Sequence, residues 1–234
     1  MDKVRIQKKL AEAGIASRRK AEDYVREGRV LINNELAKIG DTVTEADTIL
    51  FDGEPIKEEA QVYIMLHKPK GYISSRSTKE QTKTIFDLVP SKERLFSVGR
   101  LDVETEGLII LTNDGDFAQK VSHPKEEITK TYMAWVHREI QKSDLRKIAT
   151  PQQLKDDRGK AYTVENVSAK IDGEKRLIVT VKQGKYHVVR KILSKAGFRV
   201  LGLKRTAIGK LELGDLSAGK YRLLTKEDRE AVVS

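Results

Sequence analysis

The sequence predicts an α+β protein of two domains, and three observations carry that prediction. Within the first 60 residues, two short stretches with helical apolar spacing precede several strand-like runs. A charged stretch with a proline, Glu54 to Gln61, then marks a link. Beyond it, apolar runs of strand length alternate with helical stretches up to the last residues. The 234 residues are enough for two modest cores. The expected domains are a small α/β domain over residues 1–60 and a larger one over residues 61–234. The larger one is expected to have a mixed, mainly antiparallel sheet flanked by helices.

Taken in order, residues 5–13 place Ile6, Leu10 and Ala13 on one helical face, and Gly14 suits its end. Ser17 is placed to cap a second helix from Arg18 to Arg26, with Ala21 and Val25 inward and Gly28 ending it. Arg29 to Ile32, Val43 and Ile49 to Phe51 read as short strands, with Asn33-Asn34 a turn. Past the link, Val62 to Leu66 is a continuous apolar run, hence a central strand. His67-Lys68-Pro69-Lys70-Gly71 bends away from it. His67 has no second histidine or acid at ligand spacing and reads as a polar loop residue. Ser74 to Lys83 reads as a mobile surface loop, Thr84 to Pro90 as a helical turn, and Leu95 to Val98 as a strand.

Next comes Gly99-Arg100-Leu101-Asp102-Val103-Glu104-Thr105-Glu106-Gly107-Leu108. Leu108 to Leu111 reads as a short buried strand ended by the turn Asn113-Asp114-Gly115. Asp102 therefore sits on a loop held by a rigid strand, where chemistry is often found. A lone aspartate there is more often a turn residue or half of an ion pair. Phe117 to Val121 reads as a brief helix broken by Pro124, Thr129 to Val136 as an alternating strand, and Ile140 to Ile148 as a helix capped by Ser143. Gln152 to Lys160 is polar and uninformative. Tyr162 to Ala169 and Arg176 to Val181 read as an antiparallel pair joined by Asp172-Gly173. A last helix is expected from His187 to Ala196.

Composition narrows the function. There is no cysteine, which excludes disulfides and thiolate metal sites and fits a reducing cytoplasm. The start, Met1-Asp2-Lys3-Val4-Arg5, is not followed by a signal-peptide core, and no run of about 18 apolar residues exists. The net charge of +10 is unevenly spread. Residues 1–29 carry nine Lys/Arg against five Asp/Glu, residues 30–60 two against eight, and residues 182–210 nine against none. Basic stretches this separate point to a polyanionic partner.

The run Gly99-Arg100-Leu101-Asp102, with Thr105, Gly107-Leu108 and Thr112-Asn113-Asp114-Gly115, strongly resembles the signature of the RsuA/RluB/RluE/RluF family of ribosomal RNA pseudouridine synthases. The resemblance extends from about Arg5 to Thr225. Ala11, Gly14, Ser17-Arg18-Arg19, Ala21 and Gly28-Arg29-Val30 with Ile32-Asn33 resemble an S4-like RNA-binding domain. Lys8, Lys9, Arg18, Arg19, Lys20, Arg26 and Arg29 would then meet phosphates, and the acidic residues 35–59 would face away from RNA. The resemblance implies Asp102 as the catalytic residue and Tyr132, in Lys130-Thr131-Tyr132, as the active-site tyrosine. It implies Arg190 as the base paired with Asp102, Val200 to Gly209 as the family's Leu-x-Arg-x-x-Ile-Gly strand, and Gly219 to Thr225 as its closing strand. His67 stands where the family has Asn, Gln183 where it has Glu, and Val188 where it has Gln.

The implied reaction detaches uracil from its ribose, turns it, and rejoins it through carbon 5. It needs no redox change, so neither cofactor nor metal is expected. Asp102 would attack the ribose or take a ribose proton, and Tyr132 would stack on the base. Leu203 would wall the site, and Arg100 would fill the gap left by the everted base. Lys191, Lys204 and Arg205 would add substrate contacts from the basic 182–210 segment. Ribosomal RNA or a pre-ribosomal particle is the expected partner, with 23S RNA favoured over 16S, and the protein is expected to be a cytoplasmic monomer. The alternatives are a non-catalytic ribosome-assembly factor or a synthase acting on other RNAs.

Overall fold

The computed structural model describes residues 3–76, 82–182 and 187–234. The chain divides into two compact units. The first runs through Val62 and takes in Ser91–Arg94 and Asn113–Gly115, and the second comprises Tyr63–Pro90, Leu95–Thr112 and Asp116–Ser234.

In the first unit, β1 (Val4–Arg5) leads into α1 (Ile6–Glu12) and α2 (Arg18–Arg26). Five short strands follow: β2 (Val30–Ile32), β3 (Glu35–Leu36), β4 (Thr42–Val43), β5 (Ile49–Phe51) and β6 (Glu54–Pro55). The Ser17 hydroxyl accepts from the Lys20 amide at 3.2 Å, so it caps α2 as its position predicts. Gly14 takes a φ of +71° just past α1, a conformation open to glycine at little cost. Ile6, Leu10, Ala21, Val25, Val30 and Ile49 form the core between the helices and a sheet of order β3-β2-β5-β6.

The second unit is built on β7 (Tyr63–Lys68), β8 (Phe96–Val98), β9 (Thr105–Thr112), β10 (Lys130–Val136) and five more strands after two helices and a hairpin. Between them lie α3 (Gly115–Ser122), α4 (Lys142–Ala149) and the hairpin β11 (Gln152–Lys155) and β12 (Ala161–Val164). Then come β13 (Ser168–Gly173), β14 (Arg176–Val181), α5 (Val188–Lys195), β15 (Val200–Ile208), β16 (Leu211–Glu212), β17 (Tyr221–Leu223) and α6 (Lys226–Val233). The main sheet has the order β13-β14-β10-β15-β9-β7-β17, with β8 also on β9 and β16 on β15. Its ladders are antiparallel except β15 with β9, which makes it the mixed, mainly antiparallel sheet that was expected. Leu108, Ile109, Ile110 and Leu111 are fully buried at its centre, so β9 is the rigid base of the loop that precedes it.

Four expectations need correction. His67 is not a loop residue: β7 continues through Lys68, and His67 is buried with Nδ1 2.6 Å from the Leu216 carbonyl oxygen. The strand outlasts its apolar run because β9 pairs with it as far as Lys68 opposite Gly107. Ser74 belongs to the interior and not to a surface loop, while Ser77–Gln81 of that stretch lie outside the described residues. Helix α4 is capped by Gln141 and Asp144 rather than Ser143. The Asp144 carboxylate accepts from the Gln141 amide at 3.0 Å and from Arg138 at 2.8 and 3.1 Å, and the Arg138 guanidinium holds its pKa down to about 2.

The fourth concerns residues 152–169. They form the hairpin β11–β12 and only then β13, which alone pairs with β14. The Asp156 carboxylate accepts from the amides of Arg158 and Lys160 at 2.9 and 2.8 Å, making the tight turn that the polar composition hid. Asn166, at a φ of +55°, breaks the chain between β12 and β13.

Candidate active site

The loop between β8 and β9 carries Asp102, and its backbone is tied from within. Lys68, with no exposed surface, reaches under it from the end of β7. Its ammonium donates to the carbonyls of Asp102 (3.0 Å), Val103 (3.3 Å), Thr105 (2.9 Å) and Pro69 (3.0 Å). Burial lowers its pKa from the ordinary 10.5 to about 8, opposed by the carboxylates of Asp102, Glu104 and Glu106. The Ser74 hydroxyl donates to the Leu101 carbonyl at 2.7 Å and accepts from the Leu101 amide at 3.0 Å. The Gly71 amide donates to the Val103 carbonyl at 3.0 Å. Asp102 is thus mounted on a backbone whose carbonyls are spoken for, while its own carboxylate is one-third exposed.

That carboxylate meets His187, whose Nε2 lies 3.1 Å from Oδ1. His187 takes a φ of +55° directly before α5, so the chain turns there and sends the imidazole back toward Asp102. The expected pairing of Asp102 with Arg190 is not what the structure holds. Arg190 donates through Nη2 to the Glu104 carbonyl at 3.4 Å and borders a separate open hollow with His137 and Arg199. The reason is helical rotation of about 100° per residue. Val188 and Val189 take the side of α5 that faces the site, which carries Arg190 around to the loop's backbone.

Gly107 explains the glycine of the central motif. It has a φ of +116° and stands opposite Arg205 in the parallel β9–β15 ladder. A Cβ there would lie 2.2 Å from the Arg205 carbonyl oxygen and 2.6 Å from its amide nitrogen. Gly107→Ala is therefore expected to destabilise the protein by more than about 3 kcal/mol, because backbone on both sides must move. Urea unfolding monitored by circular dichroism would read this, and an unchanged midpoint would show that the two strands can separate freely.

Asp102, Arg100, Tyr132, Leu203 and Arg205 line one cavity of about 510 Å³, together with His187, Val188 and Lys130. Its volume falls within the roughly 300–1,000 Å³ usual for small-molecule sites. Tyr132 and Arg205 are opposite partners across the β10–β15 ladder, and Leu203 lies two residues from Arg205 on the same face. Arg100 is exposed at the edge. Two expected contacts fall elsewhere. Lys204 alternates to the other face of β15, and Lys191 donates to the Lys155 carbonyl at 2.6 Å. Sequence reading missed three members: Lys68, His187 and Lys130. Lys68 and Lys130 each border a buried strand, and His187 opens a helix, but no spacing rule marks these as site positions.

In the first unit, most of the expected phosphate-binding cations are already paired. Arg29 donates to Asp52, with Nε 2.8 Å from Oδ1, and its guanidinium lies 4.3 Å from the centre of the Tyr24 ring. Asp52 raises its pKa. Arg26 pairs with Asp23 at 2.8 Å, Lys20 with Asp23 and Glu27 at 3.9 and 3.8 Å, Lys8 with Glu12 at 3.5 Å, and Lys9 with Glu58. The acidic stretch thus partly neutralises the basic one, against the expectation that it faces away. Arg18 and Arg19, exposed at the start of α2, make no ion pair among the described residues.

Among the described residues there is no cluster that could hold a metal ion and no helix long and apolar enough to cross a membrane. Residues 62–195 match the family described as RNA pseudouridylate synthase, and residues 4–49 match the S4 domain. The chain is 40% identical to an RNA pseudouridine synthase of Aquifex aeolicus (strain VF5), over 97% of this chain and 92% of that one. It is 37% identical to the ribosomal large subunit pseudouridine synthase B of Bacillus subtilis (strain 168), over 96% and 93%. A crystal structure of a pseudouridylate synthase superposes with a TM-score of 0.71 at 30% identity, covering 98% of this chain and 99% of the other.

Proposed function

Because the chain belongs to the RNA pseudouridylate synthase family, we propose that this enzyme isomerises uridine to pseudouridine in ribosomal RNA of the large subunit, with Asp102 as the residue that starts the reaction. The observation that carries the reading is Asp102 on a braced loop, opening into a cavity walled by Tyr132 and Leu203. An everted uridine stacked on Tyr132 and packed on Leu203 brings its ribose to the carboxylate. Asp102 then bonds to carbon 1′ or removes the proton at carbon 2′. His187 fixes the direction of the carboxylate through Oδ1. Arg190 acts as a positioning residue, holding the backbone two residues past Asp102. Arg100, at the mouth, fills the vacancy left in the RNA stack.

Incubating the protein with each ribosomal RNA, followed by adduct formation and primer extension, tests this directly. A new pseudouridine stop in large-subunit RNA is expected. Stops in small-subunit RNA alone would reassign the substrate, and none in either would overturn the reading. A particle in assembly is the second substrate form to try, and a cytoplasmic monomer is the state in which we expect the enzyme to act.

Arg18 and Arg19 are the proposed phosphate contacts of the first unit, since they are exposed and, among the described residues, not tied to an acid. Reversing both, Arg18→Glu with Arg19→Glu, is expected to weaken RNA binding by roughly 10-fold and to flatten its salt dependence, with the melting temperature unchanged. Filter binding across a salt series checks it. Affinity equal to wild type at every salt concentration would place RNA contact elsewhere.

A further inference from the structure

The cavity contains two cations to which the reaction above gives no step: Arg205, so far only an expected substrate contact, and Lys130. Arg205 is 4% exposed, and its Nε donates to the Leu108 carbonyl at 2.7 Å. Neither terminal nitrogen of its guanidinium has a hydrogen-bond partner among the described residues, and Nη2 is fully buried. Lys130 is half-buried on the same wall and donates to the carbonyls of Ile128 (2.7 Å) and Val121 (3.3 Å). Burial, helped by the nearby charge of Arg205, lowers its pKa to about 8. No carboxylate among the described residues pairs with either cation. Asp102 pairs with His187, Glu127 with Lys182 at 2.6 Å, and Glu165, also on the wall, with neither.

A buried guanidinium with free N–H groups is costly unless an acceptor arrives. The β10–β15 register says where one would sit. Opposite residues in an antiparallel ladder carry their side chains side by side, so Arg205 stands next to Tyr132, and Lys130 is two residues along the same face. A base lying on Tyr132 would turn one edge toward the side of the cavity that carries Arg205 and Lys130. We propose that Arg205 hydrogen-bonds a carbonyl oxygen of the uracil and, with Lys130, stabilises the anion as which the base leaves its ribose.

When the bond between carbon 1′ and N1 breaks, its electron pair leaves with the base. This holds whether Asp102 has bonded to carbon 1′ or has taken the carbon 2′ proton. The pair spreads from N1 onto O2 and O4, where the two cations act. The base turns, carbon 5 supplies the pair for the new bond to carbon 1′, and Asp102 is released or returns its proton. Carbon 5 then loses its proton and N1 gains one. Cations aimed where charge develops favour the transition state over the bound substrate, and losing one such donor typically costs about 10²–10³ in rate.

The inference rests on the uridine reading of the cavity, and the experiment separates the two. Wild type, Arg205→Lys and Lys130→Gln are compared in single-turnover reactions on RNA carrying uridine or 5-fluorouridine at the target. Fluorine makes the departing anion more stable without help from the protein. The expected result is a loss of about 10²-fold for Arg205→Lys and about 10-fold for Lys130→Gln on uridine, with each loss several-fold smaller for consumption of 5-fluorouridine. Equal losses on both substrates, or no loss, would overturn the proposal while leaving the uridine site standing. Wild type inactive on either RNA would instead remove the reading beneath it. If Arg205→Lys does not fold, Lys130→Gln alone decides by the same ratio.

Discussion

Asp102→Asn is expected to lower pseudouridine formation by at least about 10⁴-fold while RNA affinity and melting temperature stay close to wild type. The carboxylate is one-third exposed, and the loop under it is held by Lys68, Ser74 and Gly71 through backbone atoms. None of those bonds uses the Asp102 side chain, so removing its charge takes away the proposed reacting group and leaves its mount. Asparagine is similar in size and still offers an oxygen to His187. Single-turnover rates, RNA binding and thermal melting should be measured on one preparation. Rates within tenfold of wild type would strip Asp102 of its role. A fall in melting temperature of more than a few degrees would show the carboxylate to be structural.

Lys68→Met should have the largest combined effect on stability and rate. The substitution keeps the length of the side chain and deletes the ammonium, leaving the carbonyls of Asp102, Thr105 and Pro69 without this donor in the interior. A buried acceptor stripped of its partner costs about 1–3 kcal/mol, so a loss of at least about 2 kcal/mol is expected even after the relief of not burying a charge. The Asp102 loop would relax with it. A displacement of about 1 Å at a reacting group can cost about 10²-fold in rate, so activity should fall by that much or more.

The pH dependence of stability gives an independent check. Burial sets the folded pKa of Lys68 at about 8, below the ordinary 10.5 that the unfolded chain retains. Between those values the unfolded state binds more protons, so the contribution of Lys68 to stability rises with pH from about 8 to about 10.5. Below 8 it is flat, at the level set by burying a charged group. Lys130 has the same shift for the same reason, so wild type carries two such contributions and Lys68→Met keeps one. Urea unfolding at pH 8, 9 and 10 should show a shallower rise in the variant, by up to about 1.4 kcal/mol per pH unit. Parallel lines would mean that Lys68 titrates alike in both states.

How much was legible depended on range along the chain. Helix α2 begins and ends where Ser17, Ala21, Val25 and Gly28 said it should, because capping and helical spacing act over three or four residues. The strand Leu108 to Leu111 declared itself by apolar content, and Asn113-Asp114-Gly115 lies directly beyond β9. The hairpin β11–β12 stayed hidden because its turn depends on one carboxylate, Asp156, folding back on its own backbone within a run of polar residues.

By itself, the amino-acid sequence determined the α+β class, the family, the loop that carries Asp102, and the company of Tyr132, Leu203 and Arg205. Local spacing encodes elements and their faces, and β10 and β15 need only pair once for their facing residues to share a cavity. Tertiary structure alone decided the partners. His187 and not Arg190 meets Asp102, Lys68 carries the loop, and Arg29 serves Asp52. Those outcomes turn on where a helix starts rotating and on which carbonyls are left without donors after strands pair, and such sums close only when distant segments meet.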